Sequence, residues 1–406
     1  MKDLGAPVEA KQRHIILDAL RGFALLGIVL ANYPEFSLYS FLEENPRSLF
    51  PTAVIDSITQ WFLYIFIDGK FYTIFSLLFG IGFSIILENN RKRGANGTLI
   101  FYRRMFFLLL IGFAHLILIW SGDILMLYAA VGMLLPLFLK CKDKTLLIWG
   151  GFFLTVPVIV DYVCQFAGVN LSSKLVEWQW LLCAQFGITE ENFAYWLRDA
   201  QTYGDMHHFL LMGAVERMQE FVDGNRYFKV LGLFLIGFCI GRNQYFTTLE
   251  NYKPILKKMS IWGLCMGLPL SAIYAWSAMG HKPFGFGTHS LFYFISVYLT
   301  SFGYISLFCL LYLRRREAKV WKMLAFPGRM ALTNYIGQSA IGVLIFYGVG
   351  LGLGADTGLI YGELIALAVF LFEIAFSRGW LLYFRFGPLE WIWRCLTYLK
   401  IFRIRV

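Results

Sequence analysis

Charge is scarce in this chain. Only 15% of its 406 residues are Asp, Glu, Lys or Arg, against 58% hydrophobic, and a mean hydropathy of +0.61 excludes a soluble globular domain. Cysteine is sparse too: the seven (Cys141, Cys164, Cys183, Cys239, Cys265, Cys309, Cys395) form no C-x-x-C pair and mostly sit in or beside apolar runs. That pattern indicates neither a metal knuckle nor a disulfide framework, and no metal is expected. A small-residue cleavage site is missing after the first apolar run, which carries Asp18 and Arg21, so the run reads as a retained span rather than a signal peptide. Neither a solenoid-type repeat nor a low-complexity tract occurs.

What is present is a series of apolar runs. At roughly 20 residues per span about ten helices fit, and the candidates are 15–33, 71–87, 102–120, 124–139, 145–166, 228–240, 258–279, 290–313, 330–349 and 359–376. The fold class is therefore all-α, a polytopic transmembrane helix bundle. The net charge of +10 comes from Lys and Arg clustered at span ends, which topology explains without nucleic acid. With both termini cytoplasmic, every cluster obeys the positive-inside rule. The chain reads as a single membrane domain over 1–406: N-terminal helices (1–166), an extracytoplasmic segment (167–226), C-terminal helices (227–386) and a cytoplasmic interfacial tail (387–406). The extracytoplasmic segment has eight acids against four bases and is rich in Trp and Tyr. Such composition suits interfacial helices that cover a site beneath them.

The informative stretch is 103–132, RRMFFLLLIGFAHLILIWSGDILMLYAAVG, which sets ionisable groups at several depths of an apolar hairpin. Buried charge is costly and needs a reason. Arg104 and His115 are eleven residues apart, three turns or roughly 16 Å on one helical face. Arg21 and Asn32 repeat that spacing in the first span. The imidazole of His115 suits a general base, Asn32 suits an oxyanion donor, and Asp123 could fix the His115 tautomer. Each also has a plain reading: Asn32 as an interhelical hydrogen bonder, His115 as a structural histidine, Asp123 as the cap of the helix that follows. Arg21, Arg91, Arg93, Arg103, Arg104 and Lys142 gather at the inner face, where they are topology determinants or phosphate ligands.

On the substrate side the candidates are Asp68, Lys70, Trp120, Asn334 and Gln338. Asp68, Gly69 and Lys70 interrupt apolar sequence at the outer end of the second span, where an Asp-Gly pair favours a break. Asn334 and Gln338 lie one turn apart and form either a polar seam with another helix or a cavity wall. Gly237 and Gly241 have the spacing of helix packing, and the GVGLGLG run reads as a flexible outer turn.

Five segments carry a resemblance: LDALRGFALLGIVLANY (17–33), DGKFYTIFSLLFGIGF (68–83), WSGDILMLYA with the His115 segment before it (120–129), GRMALTNYIGQS (328–339) and GPLEWIWR (387–394). In this order, over nearly the whole chain, they resemble the YeiB-like family of bacterial membrane proteins of unknown function. More distantly, RGFALLGIVLANY is similar to the opening helix of heparan-alpha-glucosaminide N-acetyltransferase and related membrane acyltransferases. That resemblance implies acyl-CoA as donor from the cytoplasm, an extracytoplasmic sugar or lipid acceptor, a bacterial inner-membrane location and a homodimer. Asn32 matches the asparagine of that first-helix motif. The catalytic histidine that follows there has no counterpart, since 34–60 contain no histidine, so His115 would supply the base from another helix.

The resulting expectation is an acyl-CoA-dependent O- or N-acyltransferase in the lipid bilayer. The competing class is a transporter or lipid flippase using the same polar groups as a pathway, and a scaffold for a membrane complex is a third.

Overall fold

The computed structural model describes residues 14–406; Lys11 and Arg13, which precede the first span, lie outside the described residues. The chain opens with α1 (Ile15–Phe36), α2 (Glu44–Ser48), α3 (Ala53–Phe62), a π-helical turn (Leu63–Ile67), α4 (Lys70–Lys92), α5 (Gly97–Leu118), α6 (Leu125–Gly132) and α7 (Asp143–Ala167). The outer segment folds as α8 (Ser173–Phe186), α9 (Glu190–Phe193), α10 (Trp196–Asp199) and α11 (Tyr203–Asp223). Then come α12 (Arg226–Arg242), α13 (Lys253–Met279), α14 (Phe286–Arg314), α15 (Lys319–Arg329), α16 (Ala331–Phe346), α17 (Leu359–Tyr383) and α18 (Pro388–Tyr398). Among the described residues the only β-type pairing is an isolated bridge between Phe384 and Arg405.

Among the described residues seven helical segments are long and apolar enough to cross a membrane, and Leu125–Phe138 and Ala331–Phe346 are shorter apolar helices. All ten expected spans are found as helices, but α6, α12 and α16 are short. The 16 residues of α16 rise only about 24 Å, less than a hydrocarbon core of about 30 Å. We call the end holding Arg21, Arg104 and Arg394 inner, following the positive-inside expectation.

Small residues set the helix crossings. A methyl group on Gly22 would sit 1.9 Å from the Leu324 carbonyl oxygen, and one on Gly328 would sit 1.9 Å from that of Asp18, so α1 and α15 touch backbone to backbone. Gly237 and Gly241 press against α4 in the same way, as their spacing implies. Lipid-facing positions are apolar instead: Val54 and Ile58 on α3 are 80% and 62% exposed.

The outer segment is tied to the bundle. Thr202 and Asp205 cap α11 reciprocally, Tyr203 Oη donates to the Leu118 carbonyl at 2.8 Å, and Arg217 Nε donates to that of Ser121 at 3.0 Å. The glycine-rich turn after α16 is also anchored rather than loose. Gly348 N–H reaches the Leu197 carbonyl and Ala355 N–H that of Ser37, at 2.9 and 2.8 Å, because these backbone groups would otherwise be unsatisfied where the outer segment covers them.

Candidate functional site

One face of α1 lines a cavity of about 700 Å³, with His14, Asp18, Arg21, Ile28, Asn32 and Glu35 along its length. From His14 to Glu35 the helix rises about 32 Å, so the cavity follows nearly the full depth of a membrane. Its wall has three zones of different character. Arg21, Arg104, Arg329, Arg394 and Trp393 line the inner end; Phe75, Phe79, Phe83, Met105 and Leu108 form an apolar waist; Asn32, Glu35, Asp68, Arg217 and His289 line the outer end.

At the inner end Arg21 pairs with Asp18 at 2.5 Å. Arg104 lies 3.5 Å from the Trp393 ring centroid, and the Trp393 indole donates to the Arg104 carbonyl at 2.9 Å. The C-terminal helix α18 thus closes the cavity instead of lying free on the surface. Glu390 is consumed structurally: Oε1 accepts from Leu332 and Thr333 N–H at 2.7 and 3.0 Å, satisfying the start of α16.

The tight turn after α5 brings His115 and Asp123 together, with Nδ1 2.9 Å from Oδ1, and Asp123 Oδ2 also accepts from Met126 N–H at 2.8 Å. Asp123 therefore both caps α6 and orients the imidazole. Both residues are buried, and among the described residues His115 Nε2 has no partner. Neither lines the cavity; Gly122, Ile124 and Tyr335 do. The Tyr335 ring, which lines the cavity, is centred 5.4 Å from that of His115.

At the break between the π turn and α4, Gly69 adopts φ +72° with the Tyr293 hydroxyl where a Cβ would be. Only glycine fits there, and the break turns Asp68 into the cavity, where Oδ2 accepts from Tyr274 Oη at 2.5 Å. Over the outer mouth Arg217 joins Glu220 and lies 3.7 Å from Glu35, while Arg226 lies 3.5 Å from Glu220. Burial opposes the Glu220 carboxylate, but Arg217 and Arg226 outweigh it and hold its carboxyl below the usual range. Burial, with the charges of Glu220 and Glu35, pushes Glu216 up to about 7.

Of the sequence-derived candidates, Arg21, Arg104, Asn32 and Asp68 line this cavity. His115 and Asp123 pair directly behind its wall. Arg91 ion-pairs with Glu88 at 2.9 Å and lines a separate inner pocket; Arg93, Arg103 and Lys142 line neither. Lys70 is fully buried, donating to the Tyr64 carbonyl at 2.6 Å. Trp120 packs on Phe36 with ring centroids 4.3 Å apart. Asn334 and Gln338 form a polar seam with α17, bonding to Ser377 and Glu373 at 2.9 and 2.8 Å. Sequence reasoning missed Glu35, Arg217, Lys229, His289, Arg329 and Arg394. Arg217 and Lys229 had one available signal, a base near the end of an acidic or apolar run, but the helix faces there follow from α11 docking on the bundle.

Comparison with known proteins agrees with the architecture. A family model described as "Protein of unknown function (DUF418)" matches residues 240–400. The chain is 30% identical over 404 residues to the uncharacterized protein YxaH of Bacillus subtilis (strain 168), covering 97% of this chain and 96% of the relative. It is 30% identical over 411 residues to the uncharacterized protein YeiB of Escherichia coli (strain K12), covering 95% and 96%. No solved structure matches it. On this whole-length identity and the helical bundle that accompanies it, the chain belongs to the YeiB-like family of multi-pass membrane proteins, whose function is unknown.

Proposed function

We propose that this protein is a transmembrane acyltransferase of the bacterial inner membrane, moving an acyl group from cytoplasmic acyl-CoA to a hydroxyl or amine of an extracytoplasmic sugar or lipid. The observation that carries this reading is the cavity, basic at its inner end, apolar at its waist and polar at its outer end. Arg21 and Arg104, with Arg329 and Arg394, suit the donor phosphates, and the Trp393 ring suits its base. The waist suits an acyl chain and the methylene stretches of a pantetheine arm. The thioester then meets Asn32, whose amide donates to the developing oxyanion. His115 Nε2 takes the acceptor's proton once the Tyr335 ring turns aside, with Asp123 steadying the imidazolium. The acceptor oxygen or nitrogen bonds to the acyl carbon, the carbon–sulfur bond breaks, and the leaving thiolate takes the proton that His115 accepted, which returns the imidazole to its neutral form.

The test is calorimetry of acetyl-CoA, a longer acyl-CoA and free CoA with the purified protein in nanodiscs. Binding weakened about tenfold or more by Arg104→Ala supports the reading. No binding of any of them by folded protein overturns it. Vectorial flux of a substrate without covalent change would then place the cavity in a carrier or flippase.

A further inference from the structure

The outer half of the cavity holds two cations that the acyl-transfer chemistry does not use. Lys229 lies 4.2 Å from the Tyr293 ring centroid and Lys282 4.4 Å from that of Phe286. Among the described residues neither has a carboxylate within ion-pairing distance, in contrast to Arg217 and Arg226, which share Glu220. The acids that face Lys229 are already engaged: Asp68 accepts from Tyr274, and Asp161 accepts from Asn225 Nδ2 at 2.9 Å and from Ser290.

Their placement is specific. Phe286, His289 and Tyr293 recur at three- and four-residue spacing, so they share one face of α14, and all three line the cavity. Lys229 and Lys282 both act electrostatically on His289, which sits between the two rings. The turn that carries Lys282 is strained, with His281 at φ +53° and Lys282 at φ +60°, a region L-residues avoid. One residue holds that turn and the imidazole together: Ser277 accepts Lys282 N–H at 2.8 Å through its carbonyl and bonds His289 Nδ1 at 3.1 Å through its hydroxyl.

We infer that this chamber seats a phosphate group of the acceptor, through Lys229 and Lys282 with His289 between them, so that the acceptor is a phosphorylated polyol. A lysine ammonium offers three donors, and a phosphate offers three strong acceptor oxygens and more charge than a carboxylate. Asp68 and Asp223 also line the chamber and accept the polyol's hydroxyls. The inference rests on the acyl-transfer reading, because it names that reaction's acceptor. The source is either a phospholipid headgroup or a free phosphorylated polyol.

The experiment titrates glycerol 1-phosphate, glycerol and glycerate into the full chain in maltoside micelles, which carry no phosphate, and titrates acetyl-CoA into the same samples. Glycerol 1-phosphate should bind at least about tenfold more tightly than the other two, and Lys229→Gln and Lys282→Gln should each lose about tenfold. Lys229→Arg should retain most of the affinity, which separates lost charge from lost fold, and Lys253→Gln at the inner end of α13 should change nothing. Competition by added phosphatidylglycerol assigns the phosphate to a lipid headgroup, and its failure to compete assigns it to a free polyol. Equal binding of the three probes, or unchanged affinity in both glutamine variants, overturns the inference. Acetyl-CoA binding that persists in that case leaves the acyl-transfer reading standing, whereas its absence sinks that reading by itself.

Discussion

His115 Nδ1 lies 2.9 Å from Asp123 Oδ1 across the turn between α5 and α6, and the same carboxylate caps α6 through Met126 N–H. The two roles separate by substitution. Asn at 123 still accepts from Met126 but no longer supports an imidazolium, so Asp123→Asn should cut transfer by about 10²–10⁴ while leaving acyl-CoA binding and folding intact. Asp123→Ala should add a capping loss of about 1 kcal/mol. Full turnover by His115→Ala in a reconstituted assay would remove the dyad from the mechanism.

Arg103 and Arg104 are adjacent in sequence and differ in surroundings. Arg104 stacks on Trp393 and lines the cavity, whereas Arg103 does not line it. Arg104→Ala should therefore weaken acyl-CoA binding about tenfold or more, and Arg103→Ala or Lys142→Ala should leave it within about twofold, since a screened surface charge contributes little. Equal losses from all three variants, read by calorimetry, would point to a diffuse surface potential in place of a site.

The contrast also shows what sequence reveals. Span positions were legible because apolar runs and basic flanks report directly on a bilayer, and the polar break at Asp68 was legible because Asp-Gly before a helix admits few conformations. Arg21, Asn32 and Arg104 were found by their eleven-residue spacing, a property of one helix. Lys70 was misleading because a lysine beside Asp68 looks like a substrate group, yet the π turn aims its ammonium at the Tyr64 carbonyl. Arg329, Arg394 and His289 enter the cavity through contacts between helices distant in the chain. No local period encodes that arrangement.

The α1–α15 crossing shapes the inner end, because Gly22 and Gly328 bracket the Asp18–Arg21 turn. Gly22→Ala would force a methyl group into the Leu324 carbonyl, and backbone cannot yield as a side-chain tip does. The helices must separate, at a cost of about 1–3 kcal/mol or more. Thermal unfolding in detergent should show a lowered midpoint, and acyl-CoA affinity should fall with it because Arg21 moves. Gly151→Ala on α7, with open space around its Cβ position and no part in the cavity wall, is the matched control and should leave both measurements unchanged.

The outer ion cluster gives stability two opposite responses to pH. Glu216, pushed up to about 7 from its ordinary 4.5, binds its proton more tightly folded than unfolded. Its contribution is complete below about pH 4.5 and is lost as pH rises through about 7. Glu220 is held below the ordinary range by Arg217 and Arg226, so its contribution is present above the ordinary value and is lost on acidification through the depressed one. Glu216→Gln should accordingly gain thermal midpoint relative to the parent between about pH 5 and about pH 8, with the difference growing as pH rises. Glu220→Gln should lose midpoint throughout that range, because Arg217 would be left buried beside Glu35 alone. Midpoint curves for Glu216→Gln and the parent that run parallel across the range would show that the Glu216 carboxyl does not titrate differently on folding, and would detach it from the cluster that closes the outer mouth.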